Sequence, residues 1–139
     1  MSLNEILKFL LTWISINTNY DTSKFDFPIN IVQPRVIQDM VCGGKCPVIA
    51  FFSESKGIFI SDMNFKDICN QSILLHEIIH SFQVDSDIEE VFKEKEAYEL
   101  QNKFLEELSL KNDMIKILNV KKCRSNQLMN KLLSGVKNE

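Results

Sequence analysis

Two histidines occur in the 139-residue chain, four positions apart and with a glutamate after the first: His76-Glu77-Ile78-Ile79-His80. On a helix such a pair leaves one face about a turn apart. Two neutral imidazole nitrogens can then take two corners of a zinc tetrahedron. From the intervening position a carboxylate can reach a metal-activated water without being the best-placed ligand, and zinc lowers the pKa of that water towards neutrality. His76 and His80 therefore read as metal ligands and Glu77 as a general base. With 2 histidines and 11 glutamates in this length, random placement gives the pattern with odds on the order of one in a thousand. The neighbours Leu75, Ile78, Ile79 and Phe82 are apolar, and no Pro or Gly interrupts a helix. A plainer reading, two histidines satisfied by hydrogen bonds inside a buried helix, gives no reason for this spacing.

A catalytic zinc takes three protein ligands and keeps one position open. With no third histidine in the chain, a cysteine or a carboxylate must complete the set. Downstream stand Glu89, Glu90, Glu94, Glu96 and Glu99, most of which must belong to a solvated helix face. Val91, Glu94, Ala97, Tyr98, Gln101, Leu105 and Leu108 form one stripe at steps of three and four. Glu94 is the acid of that stripe, so it is expected to face inward, where a metal ion would compensate its charge. Ala97, one turn on, allows another helix to approach closely. Glu96 lies on a mixed flank with Lys93, Glu99, Leu100 and Lys103 and is the alternative third ligand.

The elements that must hold these residues follow from periodicity. Leu3, Ile6, Leu7, Leu10, Leu11 and Ile14 make one helix face, with Ser2 or Asn4 to cap it and Asn17-Thr18-Asn19 to end it. The stretch from Tyr20 to Pro34 is turn-rich, with at most one short strand at Ile29–Val32, and Val36–Val41 predicts a short helix stopping at Gly43-Gly44. Two β-type runs, Pro47–Phe52 and Ile58–Ile60, flank a hairpin-like Ser53–Gly57. A helix carrying the histidines follows, then a break at Asp85-Ser86-Asp87 and a long helix over about Glu89 to Leu108. Met114 to Val120 predicts a further helical piece. The order is α+β: a small mixed sheet or hairpin, and a histidine helix packed on a glutamate helix. One domain spans 1–120, and 121–139 form a basic tail that can continue as helix. In that tail five cations face one carboxylate, a net +4 that leaves −7 elsewhere in a chain of net charge −3.

That net charge argues against nucleic acid as a partner. No apolar run approaches the roughly 20 residues of a membrane span. Leu3–Ile16 is interrupted by Glu5 and Lys8 and lacks a small-residue cleavage site, so it reads as a helix of the domain rather than a leader. Four cysteines stand at Cys42, Cys46, Cys69 and Cys123. Cys42 and Cys46 can be reduced thiols, a small disulfide loop or half a metal site, while Cys69 and Cys123 are single. Reduced cysteines would suit the cytoplasm, and a Cys42–Cys46 disulfide would imply export.

The sequence resembles a known group at these residues. His76-Glu77-Ile78-Ile79-His80 followed by a glutamate helix is similar to the gluzincin branch of zinc metallopeptidases. His76–Gln83 taken with Glu94–Gln101 looks like a bacterial family of small zinc-peptidase domains, and the likeness extends to Trp13, Cys42-Gly43-Gly44 and Pro47–Phe52. It implies a zincin-like fold, one Zn2+ per chain, His76 and His80 as ligands, Glu77 as general base and a third ligand within Glu94–Glu96. In several gluzincin patterns the ligand stands three before an Ala, matching Glu94 and Ala97; in another it directly precedes the Ala, matching Glu96. Those patterns place an acid or amide after the Ala to hold a histidine, where this chain has Tyr98, in reach of a ligand or of substrate. The resemblance further implies an edge strand along the cleft, here Ile58-Phe59-Ile60, that holds an extended peptide. The expected function is a zinc-dependent metallohydrolase acting on a peptide or protein substrate. The alternative is a non-catalytic zincin-like protein-interaction module.

Overall fold

A computed structural model describes residues 2–44, 46–111 and 117–124. The first helix, α1 (Leu3–Asn17), opens on a reciprocal cap between Ser2 and Glu5 and buries Ile6, Leu10, Trp13 and Ile14. A 3-10 turn at Thr22–Lys24 leads into strand β1 (Ile29–Val32). Helix α2 (Pro34–Val41), with proline in its first turn, precedes strands β2 (Ala50–Ser53) and β3 (Gly57–Ser61). Helix α3 (Ile68–Phe82) carries the histidines and α4 (Glu90–Lys111) the glutamates. The architecture is α+β, with a mixed sheet ordered β1-β3-β2.

Strand β3 is central. It pairs in parallel with β1, Ile29 opposite Ile58, and antiparallel with β2, Phe51 opposite Phe59. The expectation that Ile58-Phe59-Ile60 forms the free edge is therefore corrected. The short Ile29–Val32 run covers that side, and β2 is the edge nearest α3. Close approach of the chain before β1 depends on Gly57, which has φ +98°. A Cβ there would lie 2.5 Å from the Pro28 carbonyl oxygen, which accepts the Ile58 amide at 2.9 Å. Ile58 and Ile60 point into one core with Ile6, Leu10 and Ile14 of α1, Leu74, Leu75, Ile78 and Ile79 of α3, and Ala97 and Phe104 of α4. Trp13 packs edge-on against Phe104 and donates its indole N–H to Glu107 at 2.8 Å. Helix α3 is thus wrapped by sheet, α1 and α4, which fixes the direction of its remaining polar face.

Both cysteine pairs are disulfides, Cys42–Cys46 and Cys69–Cys123. The second corrects the reading of Cys69 and Cys123 as single residues. Its partners are 54 positions apart in sequence but 5.5 Å apart at their Cα atoms, because α4 carries the chain back to the start of α3. The helical piece expected at Met114–Val120 is also corrected: residues 112–116 lie outside the described residues, 117–119 are not helical, and a helical turn covers 120–124. The Val120 amide is held by Asn102 Oδ1 at 2.8 Å and the Leu118 amide by Ser109 Oγ at 3.0 Å. The domain therefore runs on through Arg124, past the boundary expected at 120, and the rest of the basic tail, 125–139, lies outside the described residues. Closing a 54-residue loop restricts the unfolded chain by about 4 kcal/mol in the chain-entropy account. Cys69→Ala/Cys123→Ala is expected to lower unfolding free energy by roughly that amount in urea titrations, and an unchanged midpoint would contradict the pairing.

Candidate metal centre

Helix α3 starts at Asp67, whose carboxylate caps the Cys69 amide at 2.7 Å. Two and a half turns on, His76 and Glu77 are buried, with residue exposures of 6% and 8%. Both line a groove with His80, Glu94 and the Pro47–Phe52 stretch that runs into β2. Helix α4 packs closely on α3, where Ala97 is fully buried. One turn before it, Glu94 directs Oε1 to His76 Nε2 at 2.6 Å and to His80 Nε2 at 3.3 Å. The two Nε2 atoms are 3.1 Å apart. A zinc tetrahedron requires about 3.3 Å between ligating atoms. The edges of 3.1 and 3.3 Å are near that size, while the 2.6 Å His76–Glu94 edge is at hydrogen-bond length and would have to open to admit the ion.

Neighbouring groups fix which imidazole nitrogen carries a proton. Gln101 Oε1 lies 2.9 Å from His76 Nδ1, and Gln101 Nε2 donates to Ser72 Oγ at 3.0 Å. Ser72 in turn donates to the Cys69 carbonyl at 2.6 Å, so its hydroxyl must accept from the amide and the amide oxygen must face the ring. Gln83 Nε2 likewise donates to the Lys93 carbonyl at 3.0 Å and Glu96 Oε1 at 2.9 Å. That leaves Gln83 Oε1 facing His80 Nδ1 at 2.7 Å. Both Nδ1 atoms are therefore donors, and both Nε2 atoms turn their lone pairs to the Glu94 carboxylate. Three acceptors converging in this way repel one another unless a cation lies between them.

His76, His80 and Glu94 are thus brought together, with ligating atoms all within 4.8 Å. Glu96 is not part of the cluster. It accepts from Gln83 and from the Tyr20 hydroxyl, and supports His80 from behind. Burial and then Glu96 push the Tyr20 hydroxyl pKa up. The reason given for Glu94 needs correcting. It does not face the interior: its side chain is 51% exposed at the groove, and Val91 in the same stripe is exposed too. Tyr98 makes no hydrogen bond to a histidine; its ring packs edge-on against His76 at 4.5 Å. Gln101 and Gln83 take the supporting role that had no assigned residue. Helical spacing held a signal for Gln83, three residues after His80, and the glutamate stripe held one for Gln101.

Residues 1–128 match the family described as Domain of unknown function (DUF6647). The chain belongs to that family. Comparisons with curated proteins and with solved structures found no match. The DUF6647 match spans every element that builds the cluster.

In this DUF6647 chain the Glu77 carboxyl is pushed up to about 8, first by burial and then by the Glu94 charge. An acid whose folded pKa exceeds its unfolded value of 4.5 adds stability when protonated, and loses it as pH climbs through the folded value. His76 is held below the usual histidine range, by burial first and by His80 next. Stability from that shift grows with pH only up to the unfolded value of 6.5. Between pH 6.5 and 8 the metal-free protein is therefore expected to lose up to about 2 kcal/mol through Glu77. Urea melts in chelator check this: the natural chain should weaken across that interval and Glu77→Gln should not. Parallel profiles for the two proteins would contradict the assignment.

Proposed function

We propose that this protein is a zinc-dependent hydrolase of the gluzincin type, acting on peptide bonds. The observation that carries the reading is the convergence of two bare imidazole nitrogens and one carboxylate oxygen on a groove. The set is suited to zinc: two neutral nitrogens and one anion, with tautomers fixed by amides behind them. His76, His80 and Glu94 would hold the ion. When bound, zinc would supply Lewis acidity and bring a water's pKa towards neutrality.

The chain's own groups would do the rest. Glu77 lines the same groove without a hydrogen-bond partner among the described residues. The charge of a bound cation would favour its ionised form over the protonated one that burial favours in the metal-free chain, and the carboxylate could then take a proton and return it to a leaving amine. Gln101 and Gln83 would keep both rings turned. Edge strand β2 would hold an extended substrate by backbone hydrogen bonds along Pro47–Phe52. No helix among the described residues is long and apolar enough to cross a membrane. The two disulfides favour an oxidising compartment, and hence export.

The test is hydrolysis of an unfolded-protein substrate by the purified chain, abolished by chelator and restored by zinc. Glu77→Gln should keep its metal and lose about 10²- to 10⁴-fold in kcat. Glu94→Ala should lose the metal. Glu96→Gln should keep it with an affinity about 10- to 100-fold weaker, since it acts through Gln83. Undiminished hydrolysis by Glu77→Gln would sink the proposal.

A further inference from the structure

The groove carries two cations, Lys93 and Arg124, among its described lining residues. Lys93 Nζ pairs with Glu90 at 3.4 Å. Arg124 has no carboxylate partner among the described residues. Its guanidinium instead lies over the Tyr98 ring, 5.0 Å from the centroid, and donates to the Tyr98 hydroxyl. Tyr98 in turn packs on His76 at 4.5 Å. An unpaired guanidinium is therefore held on an aromatic platform two ring contacts from the candidate metal ligands. Tyr98 occupies only part of the guanidinium fork, so donors remain for a planar acceptor.

The placement of Arg124 is anchored by the helical turn that leads into it. The preceding residue, Cys123, is 3% exposed and disulfide-bonded to Cys69, in the first turn of the histidine helix. The turn that carries it begins at Val120, whose amide is fixed by Asn102 of α4. Arginine on a tethered turn beside a cleft loses less freedom on binding than one on a free end.

We propose that Arg124 is a specificity residue that binds a carboxylate of the substrate, either an acidic side chain or a free C-terminus. The assignment rests on the hydrolase reading for its location beside the scissile bond, but the carboxylate recognition itself can be read without turnover. A bidentate guanidinium–carboxylate pair in a partly enclosed groove is expected to favour such peptides roughly 10- to 100-fold over neutral ones.

Three pools of random heptapeptides test it. One is acetylated, amidated and made of neutral residues; the second is the same with one Glu at a random position; the third is the neutral pool with a free C-terminus. Binding to zinc-loaded Glu77→Gln is measured by equilibrium dialysis, and cleavage by the natural chain by mass spectrometry. Preference for the second pool assigns a side-chain carboxylate, and preference for the third a terminal one. Arg124→Gln placed in the Glu77→Gln background should bring the ratio to about one, with Arg124→Lys retaining part of it. Equal retention of all three pools, or a preference that survives Arg124→Gln, overturns the proposal. An Arg124-dependent binding preference with no cleavage of any pool would overturn the hydrolase reading and leave the carboxylate site standing.

Discussion

The Nε2 atoms of His76 and His80 lie 3.1 Å apart, and Glu94 Oε1 sits within 3.3 Å of each. The amides of Gln101 and Gln83 hold both rings with their protons turned away. Three lone pairs therefore meet at one point, and a positive charge between them is what makes the arrangement favourable. A proton is one candidate, but burial and the neighbouring His80 hold His76 below the usual histidine range. A divalent ion would satisfy all three acceptors at once and would offset the repulsion between the Glu77 and Glu94 charges. The separation of the acceptors is set by two helices that touch at Ala97, where a larger side chain would push them apart.

Support for this point extends outward in two polar chains through an otherwise apolar helix. One runs from His76 through Gln101 and Ser72 to the Cys69 carbonyl. The other runs from His80 through Gln83 to Glu96 and Tyr20. Each ends on a group with its own packing: Cys69 on the disulfide to Cys123, and Tyr20 stacked on Phe82 at 5.4 Å. Buried amides and hydroxyls are costly unless paired, and no described side-chain nitrogen or oxygen that is fully shut off from solvent lacks a partner. Fold and site are therefore the same problem here, since breaking either chain would both unpair buried groups and release a ring.

The local parts of this plan were legible in the sequence because they depend on short-range spacing. A four-residue step puts His76 and His80 on one face, apolar periodicity marks α1, α3 and α4 as helices, and the Ser2 cap sets the start of α1. The apolar stripe points to Glu94 over Glu96 by predicting an inward side chain, but the Val91 end of α4 projects past the core to the groove rim, so both Val91 and Glu94 are exposed there. Features set by long-range pairing were not legible. Strand β1 is four residues long, and nothing in Ile29–Val32 reveals that it would cover β3 and leave β2 as the groove edge. Cys69 and Cys123 meet only because of how α4 returns along α3. The two glutamines were visible as residues, but their role depends on which way an amide faces, which only their other partners determine.

X-ray absorption spectroscopy of the zinc-loaded chain reads the atoms around the ion and so decides whether His76, His80 and Glu94 hold it. The expected spectrum shows one zinc with nitrogen and oxygen neighbours only, at about 2.0–2.2 Å, two of them with imidazole scattering, and the signal is lost in Glu94→Ala. Sulfur at about 2.3 Å, a single imidazole, or an unchanged spectrum in Glu94→Ala would contradict it.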